Sequence, residues 1–172
     1  MAQSSDRPSR RLEDLGLDDR LVGMLHEEWG IEELFPPQAE ALPPALSGRN
    51  VMLTIPTASG KSLVAHLTMV HRLTTDLEGA KALYIVPLKA LATEKVKELR
   101  EIAGAVGLRV GLAIGDRSGE TGMIEDSDIL VCTSEKLDSL LRTRSELMDK
   151  VGIVVSDEFH LLHDPNRGPT LE

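Results

Sequence analysis

The feature that most constrains the fold is a pair of short polar segments, each of which follows an apolar run. Pro56-Thr57-Ala58-Ser59-Gly60-Lys61-Ser62 follows residues 50–55, and Asp157-Glu158-Phe159-His160 follows residues 151–156. Apolar runs of this length that end in a turn are typical of buried strands. The two segments therefore predict two strands of one sheet, with polar side chains gathered at the carboxyl ends.

Apolar runs alternate with helical patterns over most of the chain. Strands are predicted at 50–55, 82–86, 108–114, 129–133 and 152–156, and helices at 18–28, 61–75, 88–106 and 135–142. Pro36 and Pro37 open a further short helix, which Pro43 and Pro44 argue against continuing. Residues 115–128 are polar and predict a surface loop. This alternation predicts an α/β fold with a mainly parallel sheet and helices on both faces.

The same pattern divides the chain into three parts. Residues 1–11 are a predicted flexible lead-in, 12–49 a helical segment, and 50–172 the α/β lobe. Cys132 stands alone, which excludes an internal disulfide and a multi-cysteine zinc site. No apolar run reaches the ~20 residues that span a bilayer, and the first residues lack the apolar middle of a secretory signal. A soluble, cytoplasmic protein without a membrane partner is predicted.

Charge bears on possible partners. The sequence has 19 basic and 28 acidic residues, which gives a net charge of −9. A net negative charge argues against a strong, general affinity for nucleic acid. It leaves room for a local basic track, because phosphate contacts need only a few well-placed groups.

The first polar segment has the chemistry of a phosphate-binding loop. Gly60 lets the backbone bend so that successive amides point at phosphate oxygens, and Lys61 adds a positive charge near them. Ser62 offers a hydroxyl to Mg²⁺ from the first turn of a helix. Ile55 stands where the common pattern has glycine, and Ala58 where many such loops have one. The alternative is a plain strand–helix turn.

The second segment supplies adjacent carboxylates at a strand end. Asp157 is suited to hold Mg²⁺ through its water shell, and Glu158 to orient and deprotonate an attacking water. The alternative is a solvated acidic turn, although the preceding run is too apolar for an ordinary surface turn. Together with the phosphate loop, the pair predicts hydrolysis of a nucleoside triphosphate. Lys61 is then expected to meet Asp157 and Glu158 around one triphosphate.

The motifs, in order, resemble those of one enzyme family. Asp157-Glu158-x-His160 is similar to the second motif of superfamily 2 DExH-box helicases, whose first motif the phosphate loop fits. Further segments are similar to the adenine-sensing motif, two strand-contact motifs and the helix after the acidic box, namely 35–39, 84–91, 132–136 and 167–172. The chain most resembles the archaeal DNA helicases that act at stalled replication forks, relatives of the helicase part of polymerase theta.

The resemblance implies the first RecA-like lobe of a P-loop NTPase that uses ATP and Mg²⁺. The implied nucleotide ligands are the adenine-motif residues and the phosphate loop, namely Phe35, Gln38, Thr57, Ala58, Ser59, Gly60, Lys61 and Ser62. Ser62 and Asp157 are the implied Mg²⁺ ligands. Glu158, Asp157 and Lys61 are the implied catalytic residues.

The resemblance also implies a nucleic-acid track. Contacts to the sugar-phosphate backbone fall to Pro87, Lys89, Thr133 and Ser134, and His160 couples the nucleotide site to the strand site. The implied activity is 3'-5' type unwinding of single-stranded or forked DNA in replication and repair. Superkiller-type RNA helicases are near neighbours, so an RNA helicase lobe is the alternative. A third interpretation is a nucleotide-binding interaction module that unwinds nothing, although a pure switch has less need of Glu158.

Several of these residues have a structural interpretation as well. Gln38 can simply cap or solvate a helix, and Lys89 can be a solvated charge in a first turn. Thr133 and Ser134 can cap the following helix, which is compatible with a strand contact. The sequence leaves these alternatives open.

The family pattern continues beyond Glu172. Members use a second RecA-like lobe, which supplies arginine fingers worth roughly 10³–10⁵ in rate. Neither that lobe nor a Ser-Ala-Thr type motif is found in the 172 residues. We therefore expect an excerpt of a longer chain, truncated after the acidic box, with a gap in the sheet where a later strand belongs. The isolated segment is expected to bind nucleotide weakly and to unwind nothing.

Overall fold

The computed structural model describes residues 8–55, 60–115, 124–143 and 146–159. They divide into two compact units, Met1–Arg72 and Leu73–Glu172. The first unit contains a 3-10 helix at Leu12–Leu15, then α1 at Asp19–Glu27 and α2 at Pro36–Leu46. Helix α3, Lys61–Thr74, begins in this unit and ends in the second. None of the helices in the described part of the chain is long and apolar enough to cross a membrane.

Residues of the predicted lead-in bond to the segment before α2. The N–H of Leu34 donates to the Arg10 carbonyl at 2.8 Å, and Arg10 Nε donates to the Leu34 carbonyl at 2.7 Å. Arg11 forms an isolated antiparallel bridge with Glu33. These bonds tie residues 10 and 11 to residues 33 and 34.

Helix α1 begins where the sequence predicts. Asp18 is its N-cap, and the carboxylate accepts a hydrogen bond from the Arg20 N–H at 2.9 Å. The Arg20 side chain also donates to this carboxylate, and these bonds lower the pKa of Asp18 to about 2. The buried face of the helix consists of Leu21, Met24 and Leu25.

Helix α2 runs through the two internal prolines, so the expected end before Pro43 and Pro44 is wrong. Proline fixes φ at a helical value, and its cost in a helix is a lost hydrogen bond and a clash. Bonding resumes beyond the prolines, since Ser47 donates to the Pro43 carbonyl and Arg49 to the Pro44 carbonyl. The cost is offset by a buried apolar face, which comprises Ala39, Ala41, Leu42 and Ala45.

The strand predicted at 50–55 is also wrong. These residues have no regular secondary structure, and the side chains of Val51 and Met52 are 40% and 75% exposed. A strand is stabilised by hydrogen bonds to a neighbouring strand, which an apolar run cannot supply by itself. None of the strands in the described sheet pairs with this segment.

The second unit is built on a parallel sheet, as predicted. Its strands are β1 at Lys81–Val86, β2 at Val110–Ala113, β3 at Ile129–Thr133 and β4 at Val151–Ser156. Helix α4, Lys89–Gly104, follows β1, helix α5, Ser134–Arg142, follows β3, and a 3-10 turn at Met148–Lys150 precedes β4. The strand order is β2-β3-β1-β4, and all pairs are parallel. The α/β class is therefore confirmed.

Apolar packing explains the order of the strands. The two central strands are buried almost throughout, whereas β4 lies at an edge and alternates between half-buried and exposed residues. Helix α4 packs against β1, β2 and β3. One core cluster joins Leu83, Ile85, Leu130 and Cys132 of the central strands to residues of α5. The central strands are thus packed against helices α4 and α5.

The loop predicted at 115–128 is partly a core segment. Ile124 and Ser127 are 6% and 3% exposed, and Ile124 belongs to the core cluster. The Ser127 hydroxyl donates to the Ile124 carbonyl at 2.8 Å, and Lys81 Nζ donates to the Glu125 carbonyl at 2.8 Å. An isoleucine in a polar segment thus anchors the chain ahead of β3. Residues 116–123 lie outside the described part.

Candidate functional site

Asp157 lies directly after β4 and is held by the neighbouring strand β1. Its N–H donates to the Ile85 carbonyl at 2.9 Å, which extends the ladder by one residue. The phenol hydroxyl of Tyr84 donates to Asp157 Oδ2 at 2.8 Å. The Glu158 N–H donates to Oδ1 at 2.9 Å. Both carboxylate oxygens are thus fixed, and each keeps a further lone pair for another ligand.

Glu158 has a backbone conformation that is rare for a residue with a side chain. Its φ is 55°, in the left-handed region, and it is the one non-glycine residue with positive φ in the described part of the chain. Such a conformation costs about 1–3 kcal/mol and is most often found at functional sites. The turn places two consecutive carboxylates at the end of a buried ladder.

A cleft lies at the carboxyl ends of β1 and β3. Its volume is about 430 Å³. Pro87, Lys89 and Thr133, three of the four predicted strand contacts, line it. The other lining residues are Leu88, Gly115, Glu135 and Lys136. The fourth predicted contact, Ser134, is 2% exposed and does not line the cleft.

Two helix N-termini open into the same cleft. Helix α4 begins at Lys89 and has no side-chain cap, since Leu88 occupies its N-cap position. Helix α5 is capped by Thr133, whose hydroxyl accepts a hydrogen bond from the Lys136 N–H at 3.4 Å. Helix N-termini favour anions through their N–H groups and positive dipole ends. The cleft therefore combines two lysines and two helix ends, all suited to phosphate groups.

In the first unit, Gln38 joins the start of α2 to the start of α3. Gln38 is 3% exposed, and its Oε1 accepts a hydrogen bond from the Phe35 N–H at 2.8 Å. Its Nε2 donates to the Gly60 carbonyl at 2.9 Å. Gly60 has φ of 68°, and a Cβ there would lie 2.2 Å from Gln38 Nε2 and 3.9 Å from the Phe35 ring. The predicted bend at Gly60 is therefore present, and three predicted nucleotide ligands lie together.

The structure describes only some of the remaining predicted nucleotide and metal ligands. Lys61 and Ser62 form the first turn of α3, and both are half-buried. Thr57, Ala58, Ser59 and His160 lie outside the described residues. The predicted meeting of Lys61 with the acidic pair stays a prediction.

The donor chemistry fits Mg²⁺. This ion takes oxygen ligands and is bound by one or two carboxylates together with substrate phosphates and waters, rather than by a protein cage. The Asp157 carboxylate and the Ser62 hydroxyl are oxygen donors of this type. In the described ranges, no three or more His, Cys, Asp or Glu side chains cluster to hold a metal alone. Each of these two side chains could supply one oxygen ligand to such an ion.

Two residues, Tyr84 within β1 and Lys136 in the first turn of α5, were not singled out from the sequence. Tyr84 bonds to Asp157, and Lys136 lines the cleft beside Lys89. Both lie within segments that carry the family resemblance, 84–91 and 132–136. The motifs were therefore recognisable, but the contacts of these two side chains were not. Tyr84 is the only tyrosine in the chain, and a polar ring in an otherwise aliphatic strand is the signal that points to it.

Comparison with known proteins identifies the class. The family model for DEAD/DEAH box helicases matches residues 35–172. This range contains the acidic pair, the cleft and the Gln38–Gly60 contact. The chain belongs to the DEAD/DEAH box helicase family.

Relatives within this class are similar over nearly all of the chain. The ATP-dependent DNA helicase Hel308 of Thermococcus kodakarensis is 47% identical over 163 residues, which cover 94% of this chain and 14% of that protein. Hel308 of Methanocella arvoryzae is 48% identical over 148 residues, which cover 83% of this chain and 20% of that protein. The chain thus spans about a seventh to a fifth of the length of these relatives.

Solved helicase structures share the fold at low sequence identity. Dbp5 of S. cerevisiae, bound to RNA and ADP BeF3, matches 95% of this chain and 42% of its own with a TM-score of 0.83 and 22% identity. Prp28 of Chaetomium thermophilum, bound to ADP, matches 95% of this chain and 42% of its own with a TM-score of 0.82 and 24% identity. These likenesses support the RecA-like lobe predicted from the sequence.

Proposed function

We propose that this chain is the ATP-binding first motor lobe of an ATP-dependent DNA helicase that acts on single-stranded or forked DNA. The observation that carries the proposal is the acidic pair at the end of β4, with the Asp157 carboxylate fixed on both oxygens. A phosphate-type cleft at the ends of β1 and β3, in the same unit, supports it. Relatives with 47% and 48% identity carry the name of an ATP-dependent DNA helicase.

Nucleotide binding is assigned to the start of α2 and the start of α3. Phe35 is 58% exposed, and an exposed aromatic ring beside a buried amide suits a flat, polar base. Gln38 is proposed to read the adenine edge while it holds Gly60. Lys61 and Ser62, with Thr57, Ala58 and Ser59, are proposed to bind the phosphates.

Hydrolysis is assigned to the acidic pair. Glu158 orients the attacking water and accepts its proton, and Asp157 and Ser62 would hold Mg²⁺. Mg²⁺, when bound, neutralises charge on the phosphate oxygens. Asp157 contributes a carboxylate whose orientation is set before nucleotide arrives, and Lys61 contributes a positive charge at the phosphates. Within the full-length protein, His160 is proposed to couple this site to the strand site.

Contacts to the strand are assigned to the cleft. Lys89, Lys136 and the N-termini of α4 and α5 offer positive charge and N–H groups to a sugar-phosphate backbone. Pro87 and Thr133 shape the wall between them. Such contacts do not read sequence, as a motor that moves along a strand requires. The 3'-5' polarity stays a prediction from the family resemblance.

The decisive test is Glu158→Gln in the full-length protein. Binding of ATP should be retained, while strand-stimulated turnover falls by about 10²–10⁴, the usual contribution of a general base. Asp149→Asn is the matched control, because Asp149 is exposed and lies just before β4, at the opposite end of that strand. Turnover that survives Glu158→Gln would refute the role of Glu158 and favour a nucleotide-binding module without motor activity.

A second measurement separates DNA from RNA. The full-length protein is titrated with single-stranded DNA and with RNA of the same sequence, and stimulation of ATP turnover is compared. The proposal expects stronger stimulation by DNA. Stronger stimulation by RNA would replace it with the alternative of a superkiller-type RNA helicase lobe.

A further inference from the structure

Tyr84 occupies an unusual place for a polar side chain. It lies in the middle of β1, is 0% exposed, and is paired in register with Val155 of β4. Its neighbours in β1 are Ala82, Leu83, Ile85 and Val86, all aliphatic and buried. Burying a phenol hydroxyl is costly unless the hydroxyl is hydrogen-bonded. Its partner is Asp157 Oδ2, at 2.8 Å.

Strand geometry explains why these two groups meet. Side chains alternate between the faces of a strand, and Asp157 continues the ladder directly after β4, so its side chain is expected on the same face as that of Val155. Tyr84 is level with Val155, and its side chain therefore reaches one repeat further, toward the carboxyl end of the neighbouring strand. No side chain shorter than tyrosine spans that repeat with a hydroxyl at its end. The register of β1 and β4 thus places a buried hydrogen-bond donor, the Tyr84 hydroxyl, next to the Asp157 carboxylate.

We propose that Tyr84 is a positioning residue for Asp157. The inference deepens the proposed function, because it concerns the same acidic pair. Tyr84 occupies one oxygen of the carboxylate and the Glu158 N–H occupies the other, so the carboxylate plane is fixed. The lone pairs that remain then point in set directions, so a Mg²⁺ ion bound through its water shell would meet a carboxylate that is already oriented. Tyr84 acts on the metal site through Asp157.

The test is Tyr84→Phe in the full-length protein, which removes the hydroxyl and keeps the ring. Binding of Mn²⁺ is measured by electron paramagnetic resonance in the presence of ADP, and the Mg²⁺ dependence of ATP turnover is measured in parallel. Residues that orient a metal ligand typically contribute about 10–100-fold in metal affinity or activity. We expect Mn²⁺ affinity to fall by about 10-fold, within that range. Binding of ATP without metal should be unchanged.

Ser127→Ala is the matched control. The Ser127 hydroxyl is buried and hydrogen-bonded to the Ile124 carbonyl, but it precedes β3, at the amino end of the parallel strands. It should lower the melting temperature without changing Mn²⁺ affinity. If Tyr84→Phe behaves in the same way, its hydroxyl is merely structural and the inference fails.

A double-mutant comparison completes the test. In an Asp157→Ala background, Tyr84→Phe should have no further effect on Mn²⁺ affinity, because the proposed effect of the hydroxyl runs through that carboxylate. An equal effect with and without Asp157 would overturn the inference. The proposed function fails separately, and takes the inference with it, if the wild-type protein shows no metal-dependent nucleotide binding. Normal wild-type behaviour with an unaffected Tyr84→Phe variant overturns the inference alone.

Discussion

The end of β4 in the second unit and the Gln38–Gly60 contact in the first unit hold their functional residues by different kinds of interaction. Asp157 is held by the neighbouring strand, through the Ile85 carbonyl and the Tyr84 hydroxyl. Gln38 and Gly60 are held to each other by one hydrogen bond and by the space that a missing Cβ leaves. Asp157 continues a ladder of five paired residues, whereas the Gln38–Gly60 contact depends on one hydrogen bond and one close approach.

This difference teaches where each part is sensitive to substitution. Along β1 and β4, backbone pairing persists when one side chain is changed, so the strand end should keep its shape and lose only chemistry. At Gly60, one added methyl group would overlap with Gln38 Nε2. It would also place an alanine in the left-handed region that glycine adopts without strain. We therefore expect the largest structural effects in the first unit and smaller, chemically specific effects in the second.

The largest effect is expected from Gly60→Ala. The left-handed backbone costs an alanine about 1–2 kcal/mol, and overlap with Gln38 Nε2 adds about 1–3 kcal/mol. The Gly16→Ala variant is the control, because Gly16 has φ of 67° with nothing within 4 Å of a built Cβ. Thermal unfolding and ATP affinity are measured for both. Equal losses for the two variants would show that the contact with Gln38 is unimportant.

A smaller effect is expected from Gln38→Glu. The new carboxylate still accepts the Phe35 N–H, but it cannot donate to the Gly60 carbonyl, which is left facing an oxygen. Losing this bond should cost about 1–3 kcal/mol and raise the KM for ATP. Glu40→Gln, at an exposed position of the same helix, should change stability by less than ~0.5 kcal/mol. An unchanged KM in the Gln38→Glu variant would remove Gln38 from the nucleotide site.

In the second unit, the cleft lysines should affect binding without affecting the fold. Lys89→Ala should reduce the salt dependence of single-strand binding by ~0.7 in the slope of log K against log salt, the value for one phosphate contact. Lys97→Ala is the control, because Lys97 is exposed and lies further along the same helix α4. Identical slopes for wild type and Lys89→Ala would make Lys89 a solvated charge, as the sequence also allows.

The parts of the fold that could be predicted from sequence are those fixed by local patterns. Strand β3 was predicted at its observed bounds because all five of its residues are apolar or capping and all are buried. Helix α1 was predicted because Asp18 is a strong N-cap before an amphipathic run. The segment 50–55 has an equally apolar pattern, but a strand also needs a partner, which periodicity does not reveal.

The candidate site divides in the same way. Asp157, Lys89 and Thr133 were recognisable because each stands at the end of an apolar run within a motif. The bond between Tyr84 and Asp157 joins residues 73 positions apart and depends on the register of two strands, and Gln38 meets Gly60 across 22 positions. The spacing of these residues along the chain does not reveal that either pair is in contact. These contacts become visible only when the ladder and the close approach are known.

A last comparison concerns Cys132, which is buried in β3 and reports whether the sheet opens as a unit. Burial raises the pKa of its thiol to about 12, and the thiolate is the reactive form. Alkylation of the native protein at pH 8, followed by mass spectrometry of the peptide, should therefore be far slower than that of an exposed thiol. Rapid alkylation of the native protein would show that β3 opens locally and that the sheet is no more robust than the Gln38–Gly60 contact.

The same pKa shift predicts that stability depends on pH above the pKa of the unfolded thiol. The folded thiol has a higher pKa than the ~8.5 of an unfolded one, so its contribution to stability is complete below pH ~8.5 and is lost as the pH rises toward 12. The wild type should therefore lose more stability between pH 8 and pH 10.5 than a Cys132→Ala variant, whose side chain does not ionise. Denaturant unfolding of both proteins at the two pH values measures this difference. Parallel losses would mean that water reaches Cys132 in the folded sheet, which would weaken the contrast between the two units.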